Sequence, residues 1–199
     1  MAVVDVGEGL IGTFDFVMDR TTARLVGLTD AELVWEPVAG CWSVREQPDG
    51  RWTVDGAGGG VADPAPVTTI AWRLTHLACH VLGGFATWLR DGGSPYGGSD
   101  EVPHTAARAR EVLDVHWTRW REGMAALDAE GWARPIGPQF GPHAASSTAG
   151  LVLHVLDEVV HHAAEVALLR DLYAARPLRD GAPARPGGAP APSRLTRPG

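Results

Sequence analysis

Histidine and glutamate side chains recur at one-turn spacing in two segments of the sequence. His76 and His80 are four residues apart, and so are His154, Glu158 and His162 in a later segment. Because an α-helix has about 3.6 residues per turn, side chains four residues apart lie on the same helix face. Imidazole nitrogens and carboxylate oxygens that share a face are suitable ligands for a divalent metal ion.

The sequence around Glu158 predicts that this face points into the protein, because Val155, Val159, Val166 and Leu169 accompany it at helical spacing. An ionised carboxylate buried without a partner is strongly destabilising or becomes protonated. A metal ion removes that penalty, and so does a buried network of hydrogen bonds. Residue types alone leave these two alternatives equally open.

Local spacing favours particular ligands within each segment. In the later segment, His161 points about 100° away from His162 around the helix axis. Only one of the two can therefore share a face with Glu158, and His162 has the matching four-residue spacing. His76 is the preferred ligand of the earlier segment. Three histidines remain open as replacement or supporting ligands: His80, His154 and His161.

Four segments with helical periodicity must position these side chains. They span residues 9–28, 68 or 69–89, 104–127 and 148–175, and a short helical turn is predicted at 30–34. Four long helices predict an all-α fold, for which a four-helix bundle is the simplest architecture.

An irregular, tryptophan-rich segment from 35 to 66 separates the first two helices. Strand-like runs at 41–44 and 51–54 flank a Pro-Asp-Gly turn at 48–50 and predict a β-hairpin. The three tryptophans of the segment predict ordered packing, as a cover over one end of the helices.

The predicted domain comprises residues 1–175, and the Pro/Gly-rich residues 176–199 are predicted to form a disordered tail. Five arginines and one aspartate give this tail a charge of +4, so the formal charge of −7 leaves −11 on the domain. An acidic domain repels phosphate backbones, which argues against nucleic acid as a partner.

The composition excludes several further classes of function. All 17 basic residues are arginine, so lysine Schiff-base chemistry and a P-loop lysine are impossible within this sequence. Two cysteines are too few for a disulfide framework and are predicted to be reduced thiols. The sequence shows neither a signal-peptide pattern nor an apolar run of about 18 residues, which predicts a cytoplasmic protein without a membrane span.

Two segments resemble the DinB-like superfamily, which includes the mycothiol-dependent maleylpyruvate isomerases. They are residues 72–78 (Trp-Arg-Leu-Thr-His-Leu-Ala) and 153–165 (Leu-His-Val-Leu-Asp-Glu-Val-Val-His-His-Ala-Ala-Glu), supported by 169–173. Residues 41–45 (Cys-Trp-Ser-Val-Arg) also look like the segment before the second helix of that family. The resemblance covers most of the predicted domain.

The resemblance implies a four-helix bundle with a metal ion bound by His76, Glu158 and His162. A glutamate and a histidine four residues apart on the last helix is the pattern of the mycothiol-dependent isomerases. Zn²⁺ is the first expectation, with Ni²⁺, Fe²⁺ or Mn²⁺ as alternatives. The lysine-free composition, rich in Ala, Arg and Gly, is typical of a high-GC bacterium, and mycothiol is the co-substrate that the resemblance implies.

The expected function is that of a metal-dependent thiol S-transferase or isomerase acting on a small electrophile. Two histidines and one glutamate leave a coordination position open, and a cation at that position favours the thiolate form of a thiol. Glu158 and His162 are then the predicted catalytic residues. Arg45 and Arg73 are predicted to hold the polar body of the thiol, and Glu165 is a candidate to orient the His162 ring.

The pocket for these small molecules is expected between the second and fourth helices, under the segment around Trp42 and Trp52. Two other classes of function remain open. The first is a non-catalytic, metal-binding stress-response module. The second is a structural or dimerising domain whose histidines form only a polar core, and a homodimer is compatible with each class.

Overall fold

Helices dominate the structure, a computed structural model that describes residues 6–57, 64–96 and 98–177. Its α-helices are α1 (Val6–Leu25), α2 (Asp30–Leu33), α3 (Ile70–Thr75), α4 (Gly83–Asp91), α5 (Ala106–Ala125), α6 (Ala129–Ala133) and α7 (Thr148–Ala175). A π-helical segment (His76–Leu82), a 3₁₀ helix (Pro138–His143) and two short strands, β1 (Val44–Glu46) and β2 (Trp52–Val54), complete the elements. The predicted all-α class is confirmed.

Four long helical units form the bundle. The α3 helix, the π segment and α4 follow one another without a break and act as one rod, called here the second rod. Both α5 and α7 pack against this rod, and both also pack against α1. The second rod and α7 are therefore neighbours, which allows side chains from the two predicted ligand segments to meet.

The second rod begins and ends at the residues that its sequence suggests. The Thr69 side chain caps the helix by accepting a hydrogen bond from the Trp72 backbone N–H. At the other end Gly92 adopts a left-handed conformation with φ of 66°, which stops α4. The interior differs from the prediction of a regular α-helix, because His76–Leu82 forms hydrogen bonds of the π type. Such segments widen a helix locally and often lie at functional sites.

The predicted hairpin is present with a shifted first strand. Strands β1 and β2 pair antiparallel with Arg45 opposite Thr53, whereas the first strand was expected at 41–44. Trp42 instead pairs with the segment before the second rod: its backbone carbonyl accepts from Thr69 N–H, and its own N–H donates to Val67. This pairing fixes the hairpin against the start of the second rod.

Helix boundaries elsewhere agree with the sequence to within a few residues. Helix α7 spans 148–175 as predicted, and α5 is shorter by two residues at each end. The predicted span of α1, 9–28, was wrong by three residues at each end, since Gly27 adopts a positive φ of 74° that ends the helix early. The predicted loop at 129–147 contains α6 and the 3₁₀ helix.

Most of the predicted tail, residues 178–199, lies outside the described residues, and α7 ends at Ala175. Among the helices that the structure describes, we find none with the length and apolar character needed to cross a bilayer.

His116 is a histidine on α5 that faces the bundle core. Its side chain is buried, and its Nδ1 lacks a hydrogen-bond partner among the described residues. Burial lowers the pKa of His116, the nearby Arg119 lowers that pKa further, and Glu101 raises it in part. The neutral ring is therefore the form that the folded protein favours.

We expect His116 to make the folded protein sensitive to acid. An unfolded histidine has a pKa of about 6.5, so below that pH the unfolded state binds more protons than the folded state. The stabilisation is present above the unfolded pKa and is lost as the pH falls. Urea denaturation with a chelator present should show a smaller pH dependence for His116→Leu than for the wild type. Equal pH slopes of the unfolding free energy would contradict this account.

Candidate metal centre

Three side chains from the second rod and α7 converge at one point. His76 begins the π segment, while Glu158 and His162 lie one turn apart on α7. Nε2 of His76 lies 3.4 Å from Oε2 of Glu158, and Nε2 of His162 lies 3.2 Å from the same oxygen. Each residue places one ligand atom within 4.8 Å of the other two.

These separations match those around a coordinated ion. With ligand distances of about 2.1 Å and tetrahedral angles, neighbouring ligand atoms are about 3.4 Å apart. The observed separations of 3.4 and 3.2 Å are longer than the usual donor–acceptor distance of a hydrogen bond, which is about 2.9 Å. The spacing therefore fits a metal ion between the three groups.

The second ring nitrogen of His162 determines the tautomer of that ring. Its Nδ1 lies 2.7 Å from Oε2 of Glu165 and 3.2 Å from NH1 of Arg73. A guanidinium can only donate hydrogen bonds, and its Nε lies 2.9 Å from the same Glu165 oxygen. The shorter contact assigns the proton to Nδ1, which donates to Glu165, while Arg73 forms an ion pair with that carboxylate.

This tautomer leaves the Nε2 lone pair of His162 facing a carboxylate oxygen of Glu158. Two lone pairs at 3.2 Å repel each other unless a positive charge lies between them. A divalent metal ion between the two atoms supplies that charge, so the donor set fits a metal.

Titration of the other two groups favours their metal-binding forms at neutral pH. Burial lowers the pKa of His76, and His162 lowers it further, against an opposing effect of Glu158. Burial acts to raise the pKa of Glu158, but the close contact with His76 and the nearby imidazole of His162 together bring that pKa below its ordinary value. A neutral imidazole and an ionised carboxylate are the forms that coordinate metal ions.

The remaining histidines of the two segments do not join this cluster in the part of the chain that the structure describes. His80 and His154 are exposed, with the ring centroid of His80 6.0 Å from that of His76. His161 is also exposed, and its Nε2 lies 3.3 Å from Oε1 of Glu165. His161, His162 and Glu165 form a second close group, but it would require His162 to coordinate through its protonated Nδ1.

The family follows from a comparison of the sequence with known protein families. Residues 13–166, which include most of the bundle and all three candidate ligands, match the DinB superfamily. The chain belongs to the DinB superfamily. Searches of curated proteins and of solved structures gave no match. Members of this superfamily commonly bind metal ions, in agreement with the His/Glu cluster.

Arg73 and Arg45 have different positions in this DinB-superfamily protein. Arg73 adjoins the cluster and is largely buried, with its guanidinium 5.1 Å from the Trp72 ring centroid. Burial lowers the pKa of Arg73, against the effects of Glu165 and Glu158. Its contacts place it behind His162.

Arg45 lies in the hairpin, where all three of its guanidinium nitrogens are engaged. NH1 donates to Glu36 at 2.5 Å, Nε donates to Asp55 at 3.0 Å, and NH2 donates to the Cys41 carbonyl at 2.8 Å. These contacts hold the hairpin together. Binding of a thiol by Arg45 remains a prediction, and it would require at least one of these contacts to open.

Stacked rings support His76 from the hairpin side. The Trp72 ring lies parallel to the imidazole of His76, with centroids 5.2 Å apart and an interplanar angle of 17°. Trp72 Nε1 donates to the Asp55 carbonyl oxygen at 2.9 Å, and the Trp42 ring packs on the other side with centroids 5.9 Å away. This stack restricts the orientation of the His76 ring.

A cavity of about 340 Å³ opens beside His76 and Glu158. It lies between the second rod and α7, as predicted, but Pro95 and Tyr96 of the following loop line it, and neither Trp42 nor Trp52 does. The prediction that Trp42 and Trp52 cover this cavity was therefore wrong. Trp42 packs on Trp72, and Trp52 stacks on His104 with ring centroids 4.2 Å apart, so both rings are already covered elsewhere.

Neither cysteine has the environment of a nucleophile. Burial and the nearby Glu101 raise the pKa of the Cys79 thiol to about 12. Cys41 is 2% exposed, and its Sγ donates to the Val38 carbonyl at 2.9 Å. The prediction that Cys79 is a small core residue is confirmed.

Sequence reasoning missed the π segment and the loop that lines the cavity. A Cβ on Gly84 would overlap the Pro95 carbonyl oxygen, and a Cβ on Gly98 would overlap the Cys79 carbonyl oxygen. Glycine at both positions allows this loop to lie directly on the second rod. The Gly83-Gly84 pair within a helical pattern was the available signal of such a close approach.

We expect Glu165→Ala to weaken metal binding about 10–100-fold, the usual effect of removing the partner of a metal-bound histidine. Without Glu165, the His162 ring loses its Nδ1 acceptor and Arg73 loses its ion pair. Glu165→Gln keeps an acceptor without the charge, so its metal dissociation constant should lie between those of the wild type and the alanine variant. Competition with a chromophoric chelator measures all three. Wild-type affinity in both variants would show that Glu165 does not support the site.

Proposed function

We propose that His76, Glu158 and His162 hold one divalent metal ion, with Zn²⁺ as the first choice, and that the protein is a thiol S-transferase or isomerase. The observation that carries the proposal is the convergence of two Nε2 atoms on one Glu158 oxygen, beside a cavity. Three protein ligands with adjoining open space are typical of catalytic rather than structural zinc sites.

When bound, the ion would supply a positive charge that lowers the pKa of a thiol and favours its thiolate form. Glu158 and His162 act by holding that charge at the edge of the cavity. Glu165 keeps the His162 ring in the tautomer that directs Nε2 toward the cluster. Trp72 stacks on the His76 ring and thereby restricts its orientation.

The formal charges of the surrounding residues suit an anionic sulfur. Glu158, Glu165 and Arg73 together contribute a net charge of −1. A divalent cation therefore leaves this site with an excess of one positive charge, which a single thiolate neutralises. The three ligands are partly or largely buried, so this charge balance has more weight than at a fully exposed surface.

The reaction that we propose transfers the sulfur of a small thiol to an electrophilic carbon. The thiol gives up its proton to solvent, a carbon–sulfur bond forms, and a leaving group departs with the electron pair of the bond that breaks. In an isomerisation, the sulfur adds reversibly to a double bond and leaves again after rotation. The resemblance to mycothiol-dependent enzymes makes mycothiol the first thiol to test.

A direct test uses protein loaded with Zn²⁺, mycothiol or a simpler thiol such as cysteine, and a bromobimane as electrophile. A free thiol with a pKa of about 8.5 is about 3% ionised at pH 7, so ionisation alone can raise the rate up to about 30-fold. We expect an enhancement of roughly that size over the protein-free reaction, measured by bimane fluorescence. The same protein treated with a chelator is the control and should give the protein-free rate.

One observation favours a second candidate, a metal-binding module without catalysis. Arg45 and Arg73, which were predicted to hold the thiol, are both engaged by carboxylates. A thiol with a polar body would then lack a free cationic partner at these two positions. Stoichiometric metal without any thiol-dependent consumption of the electrophile would favour this module over the transferase.

A further inference from the structure

A second, apolar cavity adjoins the one beside the candidate metal centre. It has a volume of about 410 Å³ and shares Phe85, Tyr96 and His154 with the first cavity. The two cavities therefore form neighbouring parts of one groove. One part contacts His76 and Glu158, and the other extends along the start of α7 toward the 3₁₀ helix.

The walls of the second cavity are mainly hydrocarbon. Phe85, Phe140, Ile136 and Leu151 line it, while His143, Ser146 and His154 supply polar atoms. Among the residues that the structure describes, none of those lining it is arginine, aspartate or glutamate, and Glu158 is the one carboxylate that lines the first cavity. The groove thus offers a mainly apolar compartment next to the candidate metal centre.

Packing holds the aromatic walls in position. The rings of Phe85 and Phe140 are nearly parallel, with centroids 6.3 Å apart, and the Trp88 ring meets Phe140 edge-on at 5.2 Å. A backbone hydrogen bond from Ile136 N–H to the Ser146 carbonyl, at 2.9 Å, closes the loop that carries Phe140. A compartment that is already formed loses little entropy when an apolar group enters it.

We infer that the electrophile of this protein is an uncharged molecule with an aryl or branched alkyl body. Its reactive carbon lies beside His76 and Glu158, and its body occupies the compartment formed by Phe85, Phe140 and Leu151. We expect a small dicarboxylate of the maleyl type to be a poorer electrophile, because it would leave the apolar walls of the compartment without a partner. The reaction in this inference rests on the proposed function, whereas the binding of the molecule in the groove does not.

The kinetic test compares two electrophiles that react by the same displacement at a CH₂–Cl carbon. With 4-nitrobenzyl chloride and with chloroacetate, a thiol loses its proton to solvent, the sulfur bonds to carbon, and chloride leaves with the electron pair. Each rate is divided by the rate of the protein-free reaction to remove intrinsic reactivity. We expect the resulting enhancement to favour the aryl compound by roughly tenfold or more. Equal enhancements, or a preference for chloroacetate, would overturn the inference.

Gly150 provides a variant that fills the compartment without disturbing a packed side chain. It lines the apolar cavity near the start of α7, and a Cβ built there meets only the Ser147 hydroxyl at 3.6 Å. Gly150→Leu should reduce the preference for the aryl compound roughly tenfold or more, with metal content equal to that of the wild type. Gly150→Ala also replaces this helical glycine but adds only one carbon, so it should keep the preference for the aryl compound. An unchanged preference in Gly150→Leu counts against the inference.

A binding measurement separates this inference from the proposed reaction. The unreactive 4-nitrobenzyl alcohol is added to chelated protein, and saturation-transfer NMR reports its contact. We expect binding to the wild type and to Gly150→Ala, and weaker binding to Gly150→Leu. This pattern supports the compartment even where no thiol reaction is found with any electrophile. Absence of binding to the wild type, or equal binding to all three proteins, overturns the inference.

Discussion

His162→Ala is expected to lose stoichiometric metal and the thermal stability that the metal provides. His162 supplies the least exposed of the three ligands, and its ring also connects the cluster to Glu165 and Arg73. A ligand present at 100 times its dissociation constant stabilises the folded state by about 2.7 kcal/mol. For a chain of this size, that corresponds to a rise in melting temperature of roughly 5–10 °C.

The measurement is the melting temperature with saturating Zn²⁺ and with a chelator, together with elemental analysis. The wild type should show the full shift, and His162→Ala should show almost none. His161→Ala is the matched control, because it removes the neighbouring imidazole from an exposed position outside the cluster. If the three side chains form a polar network without metal, the wild type should contain no stoichiometric metal, and the chelator should not shift its melting temperature. That result would remove the basis of the proposed function.

Glu158→Gln is expected to lose most of the roughly 30-fold enhancement that ionisation of the thiol provides, so that thiol transfer falls close to the protein-free rate. The Glu158 carboxylate is the group on which both Nε2 atoms converge, and it borders the cavity. The amide has nearly the same shape but lacks the negative charge that holds a cation. Metal binding should weaken together with the rate, so the rate is measured across a range of Zn²⁺ concentrations.

Asp157→Asn is the matched control for this experiment. It makes the same chemical change at the preceding residue of α7, which is exposed and lies outside the cluster. Wild-type rates in Asp157→Asn, with strongly reduced rates in Glu158→Gln, would support the assignment of Glu158. A Glu158→Gln variant that keeps the wild-type rate and metal content would refute it.

The pH dependence of metal binding follows from the same groups. Both His76 and Glu158 have pKa values below their ordinary range, so both keep their metal-binding forms as the pH falls toward the ordinary histidine pKa of about 6.5. Protons compete with the metal for these two ligands only at lower pH, where affinity declines. The acid sensitivity that His116 confers concerns the stability of the fold and not the metal affinity. It is therefore measured with a chelator present, whereas the pH dependence that involves the metal is measured without one.

The sequence by itself determined the helices and the pairing of ligands within one helix. Periodic apolar residues and the caps at Thr69 and Ser147 place the second rod and α7 close to their observed limits. The four-residue spacing of Glu158 and His162 already requires that both lie on one face. These features depend on local backbone geometry, which repeats about every 3.6 residues whatever the rest of the protein does.

The sequence left open which histidine of the second rod faces α7. His76 and His80 have equivalent one-turn spacing, but only His76 reaches the cluster, at the start of a π segment that periodicity does not predict. Contact between two helices depends on how they pack and cross, and the hydrophobic pattern of a single helix sets this only loosely. The ion pair of Arg73 with Glu165 also depends on this packing, because Arg73 lies on the second rod and Glu165 lies on α7.

Tertiary structure alone decided the environment of the site. Phe85 and Phe140 are far apart in sequence, and the 3₁₀ helix that carries Phe140 contains Gly141 in a left-handed conformation with φ of 55°. The tryptophans that composition suggested as a cover are instead covered by Trp72 and His104. Aromatic residues pack wherever apolar area can be buried, a tendency without direction, so their sequence positions could not show which cavity they would line.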